Sequence, residues 1–163
     1  MRLSITPVGH LRMLESTFIS ILMLIGLLWW FDFEANALKV CGGFMVLNLL
    51  PVAYLHTEYY LANKAMIVEV FEDGISVIWE EKYSVYLSKD IIRIAVFMTP
   101  STYVNSNMHL FAMGAYHHAK VYLQSGKIIV ITSLMTSDIM TALSPLNGVQ
   151  IDKRRALFPS ILE

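Results

Sequence analysis

The chain has 163 residues, of which 56% are hydrophobic and only 15% charged, with a formal net charge of −1 and a mean hydropathy of +0.56. A soluble domain carries roughly 25% charged residues, so an ordinary soluble globule is excluded as a description of the whole chain. The near-neutral charge argues against a nucleic-acid partner, which requires a basic excess.

The apolar excess lies in the first third. No charge falls between Phe18 and Phe31, nor between Val40 and Leu55, and the two runs are separated by Asp32-Phe33-Glu34-Ala35-Asn36. A spanning helix needs about 20 apolar residues. Trp29, Trp30 and Tyr54 sit at the ends of the runs, where amphipathic rings favour a membrane interface. Thr17 and Ser20 lengthen the first run, and Leu38 with a snorkelling Lys39 lengthens the second. The expectation is an antiparallel transmembrane hairpin over residues 17–56, preceded by a cytoplasmic segment 1–16. Gly26 and Gly42-Gly43 are expected to let the two backbones approach closely.

Arg2 and Arg12 precede the first run, and the loop carries Asp32 and Glu34 without Lys or Arg. By the positive-inside rule this places the N-terminus and the C-terminal domain on the cytoplasmic side of an inner, cytoplasmic membrane. Two alternatives stay open: a signal peptide ending near Ala35-Asn36-Ala37, and a re-entrant hairpin that does not cross. The lone Cys41 has no internal disulfide partner and reads as a small apolar residue.

From Ala65 the apolar period changes to two. Ile75, Val77 and Trp79 alternate with their neighbours after the turn signal Glu72-Asp73-Gly74. Glu81-Lys82 marks a second turn before a strand at 83–87, and Ile91–Phe97 is a β-branched run. Residues 98–115 are irregular, and two strands then flank the turn Gln124-Ser125-Gly126-Lys127. The pattern predicts about six strands in an antiparallel meander. A helix follows, with Thr136 or Ser137 as its cap, Asp138 in its first turn and Ile139, Leu143 and Leu146 as its apolar stripe. Residues 57–150 are expected to form this β domain, and 151–163 a basic and apolar tail.

The expected fold class is therefore α+β: an N-terminal transmembrane hairpin, then a small antiparallel β-sandwich or barrel closed by one short helix. The short hairpin, the meander with its turn at Gln124–Lys127 running into Ile128-Ile129-Val130, and the Ser/Thr-capped helix together resemble bacterial pleckstrin-homology-like (PH-like) membrane proteins over residues 60–146. The irregular 98–115 segment and the shortness of the closing helix are departures from that pattern. The resemblance implies a binding or scaffold module rather than an enzyme.

Chemistry-bearing motifs are sparse. His117-His118 is the most conspicuous pair, but neighbours on a strand face opposite ways and cannot readily share a metal; they are expected to be strand-edge histidines. Glu72-Asp73 and Glu80-Glu81 belong to turns, and no nucleophile elbow or phosphate loop occurs. No cofactor is expected. Lys153-Arg154-Arg155, with Phe158 beside them, form the candidate lipid-binding surface, where each cation near an anionic leaflet contributes about 1 kcal/mol. Tyr103, Met108, Phe111 and Met113 in the irregular segment form the candidate partner-binding surface, since flexible apolar side chains adapt to a contact. The leading expectation is a membrane-anchored, non-enzymatic adaptor that binds a protein partner or its own copies; the alternative is a module sensing anionic lipid, with a metal-dependent enzyme the remotest.

Overall fold

The computed structural model describes residues 1–104 and 111–162. The chain begins with a short strand, β1 (Arg2–Ser4), before the first apolar helix, α1 (Pro7–Trp30). Pro7 pre-sets the helical φ, and the Thr6 hydroxyl accepts the Gly9 N–H at 3.1 Å, satisfying one of the donors that a helix start leaves open. A tight loop follows, with Asp32 and Phe33 both in the left-handed region. The second helix, α2 (Ala35–Asn63), returns antiparallel to the first. Both helices thus run well past the apolar stretches, α1 starting ten residues before Thr17 and α2 ending seven residues after His56.

Gly26, Gly42 and Gly43 do not mediate helix contact, contrary to expectation: a Cβ built at any of them meets nothing within 4 Å. The close approach occurs at Gly9 instead, where a Cβ would lie 2.4 Å from the Leu134 carbonyl oxygen. Only a residue without a side chain lets α1 rest on that backbone.

Beyond the helices lie two four-stranded sheets. The first has the order β1-β2-β3-β4, with β2 (Met66–Phe71), β3 (Gly74–Trp79) and β4 (Lys82–Leu87). The β2–β3 hairpin turns at Glu72-Asp73 as expected, and β3–β4 turns through Glu80 and Glu81, both at positive φ. The second sheet has the order β7-β6-β5-β8, with β5 (Ile91–Met98), β6 (His117–Leu123), β7 (Ile128–Thr132) and β8 (Ile151–Arg155). A short helix, α3 (Pro100–Tyr103), and a 3-10 turn at Ala112–Ala115 lie between β5 and β6.

Three expectations are corrected here. The described residues hold eight strands rather than six. The sheets are not one meander, because β8 lies parallel to β5, and no closed barrel is found. The basic stretch expected as a free tail is β8 itself.

The core fills the space between the sheets. Val68, Val70, Ile75 and Val77 from the first sheet face Ile94, Val96, Val121 and Ile131 from the second. The period-2 pattern places these on one face of each strand. Helix α4 (Ile139–Leu143) closes the sandwich, burying Ile139, Ala142 and Leu143. Asp138 is its N-cap, accepting from the Thr141 N–H at 3.0 Å. Full burial of such aliphatic side chains stabilises by about 1.5–3 kcal/mol each.

Candidate functional site

A second, smaller cluster joins the helices to the sandwich. Met13 of α1 and Val52, Leu55 and Tyr59 of α2 pack on Ala112, Tyr116 and Leu134 at the outer face and end of the second sheet. Polar bonds fix the register of this junction. The Tyr59 hydroxyl donates to the Pro159 carbonyl at 2.7 Å and accepts from His118 Nδ1 at 3.1 Å. Asn63 brackets β7, its amide nitrogen donating to Val130 O at 2.8 Å and its oxygen accepting from Thr132 Oγ1 at 2.6 Å. A third chain runs from the Tyr116 hydroxyl to His56 Nδ1 (2.9 Å) and from His56 Nε2 to His10 Nδ1 (2.8 Å). Residues from α1, α2, β6 and β7 are thereby locked together, and the helices form the covering layer of the second sheet.

The histidine pair takes its place in this junction. His117 and His118 are both buried on β6, an interior strand between β7 and β5, so they are not strand-edge residues. His118 stacks on Phe97 with ring centroids 5.0 Å apart, and its Nε2 is buried without a hydrogen-bond partner. Burial first, and then the Lys120 charge, push the His118 pKa down to about 3. The ring is therefore neutral at physiological pH, with Nδ1–H directed at Tyr59. Burial likewise pushes the Tyr116 phenol up. No group of three or more metal-ligating side chains gathers among the described residues.

The basic stretch is divided by the strand that carries it. In β8, Arg154 pairs with Phe97 of β5, and its guanidinium lies 5.9 Å from the centre of that ring. Lys153 points the other way, into a cleft of about 740 Å³ that it shares with Arg12, Glu15, His117 and Asp138. Thr141 holds the Asp138 carboxyl below the usual carboxylate range. Arg155 is exposed at the end of the strand. Phe158 sits apart from all three basic residues, packed on the helix junction with its ring 5.7 Å from that of Tyr54. The four residues expected to act on one lipid surface are thus distributed over several.

The irregular segment is held from within. Phe111 stacks on Phe44 of α2 at 6.4 Å, and Met113 packs against the junction cluster. Tyr103 lies on α3, partly exposed. Met108 lies outside the described residues.

What remains open is the first sheet. The junction cluster that holds the helices draws on the second sheet and its loops, and Asn63 covers the β7 edge of that sheet. Among the described residues, the outer side of β4 pairs with no strand. Tyr83, Val85 and Leu87 line its outward face at 64%, 45% and 40% exposure. Adjacent on the same face are Ile78 of β3, which pairs with Tyr83, and Phe71 of β2, opposite Gly74. Sequence reasoning placed the strand but not its position at an edge, because order within a sheet leaves no local signal.

Two stacked sheets closed by a helix are the architecture expected of a PH-like domain, and the comparison with protein families agrees. The family model described as "PH domain" matches residues 6–141, most of the chain. The chain belongs to the PH domain family. The match takes in both apolar helices as well as the sandwich and ends within α4, ahead of β8. Neither a curated protein nor a solved structure matches the chain. PH domains are in general non-enzymatic modules that bind proteins or lipids, and the PH domain of this chain carries its two long apolar helices on one of its two sheets.

Proposed function

We propose that the protein is a non-enzymatic adaptor held in the inner, cytoplasmic membrane by its helical hairpin, with its N-terminus and PH domain on the cytoplasmic side. The PH domain recruits a protein partner through the open β4 edge and outer face of the first sheet. The observation that carries this reading is the asymmetry of the sandwich. The helices occupy the second sheet, and the first sheet keeps an unpaired strand edge lined by Tyr83, Val85 and Leu87. An exposed apolar edge is an aggregation hazard unless a partner uses it, and strand addition is a common way for a sheet to bind an extended segment.

The membrane part of the reading is supported by the surface of the helices. Both are long and apolar enough to cross a bilayer, and only 17% and 22% of their most apolar windows are buried within the molecule. A core helix of a soluble protein would bury most of that surface. The flanking Arg2 and Arg12, against a loop with Asp32 and Glu34, support the orientation.

A photoreactive amino acid in place of Tyr83, in native membranes, tests the adaptor reading. The expected result is a discrete adduct with one protein, lost when Val85→Lys is added. No adduct, or one indifferent to Val85→Lys, contradicts it.

The cleft between α1 and the sandwich favours a second reading, in which the module senses lipid. Arg12 and Lys153 share that cleft where α1 leaves the domain, close to the expected level of lipid headgroups. Anionic lipid retained through gentle detergent purification, and lost from the Arg12→Gln/Lys153→Gln variant, is the expected result of this reading. Retention unchanged in the variant contradicts it.

A further inference from the structure

The open β4 edge has a definite register. β3 and β4 are joined through Glu80 and Glu81, and at the other end of the pair the Ser88 N–H donates to Asp73 O at 2.7 Å. The backbone groups of successive residues in an antiparallel strand point to opposite sides. Lys82, Ser84 and Tyr86 therefore bond inward to β3, and Tyr83, Val85 and Leu87 turn their N–H and C=O groups outward. Leu87 is already engaged, because its N–H donates to Asp90 Oδ2 at 3.0 Å. Tyr83 and Val85 are the two residues at which an incoming strand can form both of its bonds.

The side chains restrict the occupant further. Tyr83 and Val85 lie on the outward face of the sheet, and Ser84 between them lies on the opposite face. On that face opens a groove of about 230 Å³, lined by Trp79, Lys82, Ser84 and Lys127, with Glu80 of the turn. The Lys127 ammonium donates to the Tyr86 hydroxyl at 3.1 Å and lies 5.6 Å from the centre of that ring. This bond holds the Tyr86 phenol below its usual range. Among the described residues, neither Lys82 nor Lys127 has a carboxylate at ion-pair distance. Two ammonium groups thus line the groove against one carboxylate, and the groove is short of acceptors rather than donors.

An antiparallel segment bonded at Tyr83 and Val85 places one residue directly opposite Ser84. Opposed residues of a pair point to the same face, so that one side chain enters the groove. Lys82 and Tyr86 are its diagonal neighbours, about 7–8 Å away and within reach of long side chains. The residues before and after it pass along the outward face beside Tyr83 and Val85, which are 64% and 45% exposed.

We propose that β4 receives an extended partner segment of the pattern apolar–acidic–apolar, with the central glutamate or aspartate carboxylate bound between Lys82 and Lys127. This deepens the adaptor reading and rests on it. The apolar flanks cover Tyr83 and Val85, and the acid supplies the acceptor that the groove lacks. A second copy of β4 does not suit the site. In the same register it would set Lys82, Ser84 or Tyr86 opposite Ser84, adding donors and no carboxylate.

The test uses the full chain in phospholipid nanodiscs and four pools of fluorescent nonapeptides, read by anisotropy. Each pool is degenerate except for a central Val-X-Val, with X as glutamate, glutamine, lysine or phosphoserine. The glutamate pool is expected to bind about tenfold tighter than the glutamine pool, since bonds to charged groups are the stronger ones. The lysine pool is expected to bind most weakly. Lys82→Gln/Lys127→Gln removes the advantage of glutamate and leaves glutamine binding unchanged. Val85→Pro removes an outward N–H that β3 does not use, a place where an edge strand tolerates proline, and is expected to abolish binding of every pool. Glutamate and glutamine binding alike, or an advantage that survives the double variant, overturns the acidic specificity; loss on Val85→Pro would then leave the edge reading standing. A phosphoserine pool more than tenfold tighter than glutamate makes a phosphorylated segment the occupant and overturns the carboxylate. If no pool binds, or binding ignores Val85→Pro, the edge reading fails and the proposal with it.

Discussion

His118 shows how a residue that looks like a ligand serves the fold. Its Nδ1–H meets Tyr59, its face meets Phe97, and its Nε2 has no partner. Protonation would place a charge in a buried site beside Lys120, which is why its pKa is lowered to about 3. The unfolded chain takes up this proton near pH 6.5 and the folded chain does not, so the unfolded state binds more protons throughout that interval. Stability attributable to His118 is therefore intact above about pH 6.5 and falls as pH drops towards 3, by up to about 1.4 kcal/mol per pH unit. Asp138, whose pKa is also lowered, loses its contribution only below the ordinary carboxylate range, so it does not mask the histidine between about pH 6.5 and 4.5. Chemical denaturation across that interval is expected to show a shallower pH slope in His118→Gln than in the parent. The pair His117-His118 was visible in the sequence, but its burial was not, because nothing local announces that α2 will cover the outer face of β6.

Among the elements, α1 rests on the domain backbone at Gly9 and meets nothing at Gly26 further along. Gly9→Ala drives a Cβ into the Leu134 carbonyl, an atom of the backbone that cannot swing aside. The expected cost is about 1–3 kcal/mol, the usual range for overpacking, despite the better helix propensity of alanine. Gly26→Ala meets nothing, and the same propensity makes it neutral or mildly stabilising. Unfolding in detergent compares the two, and equal effects would contradict the docking of α1 at Gly9. Strands at 66–98 and 117–132 were legible because each alternates and ends in turn residues. β1 and β8 were not. β1 is three residues long with a single buried side chain, Leu3, and β8 reads Ile-Asp-Lys-Arg-Arg, a polar segment whose place beside β5 is set by pairing alone. The packing of two residues of the candidate partner surface in 98–115 was not legible for a related reason. Phe111 and Met113 are apolar and irregular in sequence, and the structure uses them to hold its own helices.

For the whole molecule, the sequence separates an apolar first third from a β-rich remainder but does not reveal that the two are one packed body. Tyr59, Asn63 and Tyr116 join them through bonds between residues 59 to 100 positions apart, and separations of that size leave no trace in local periodicity. The consequence is a PH domain that one sheet ties to the hairpin while the other stays open. That arrangement works as an adaptor only if the hairpin crosses the bilayer and leaves the first sheet in the cytoplasm. Single cysteines at Glu34 in the hairpin loop and Glu81 in the β3–β4 turn, on a Cys41→Ala background, address this in intact cells with a membrane-impermeant maleimide. The account predicts that Glu34→Cys is labelled from outside and Glu81→Cys only after the cells are opened. Labelling of both positions from outside, or of neither until lysis, would contradict it.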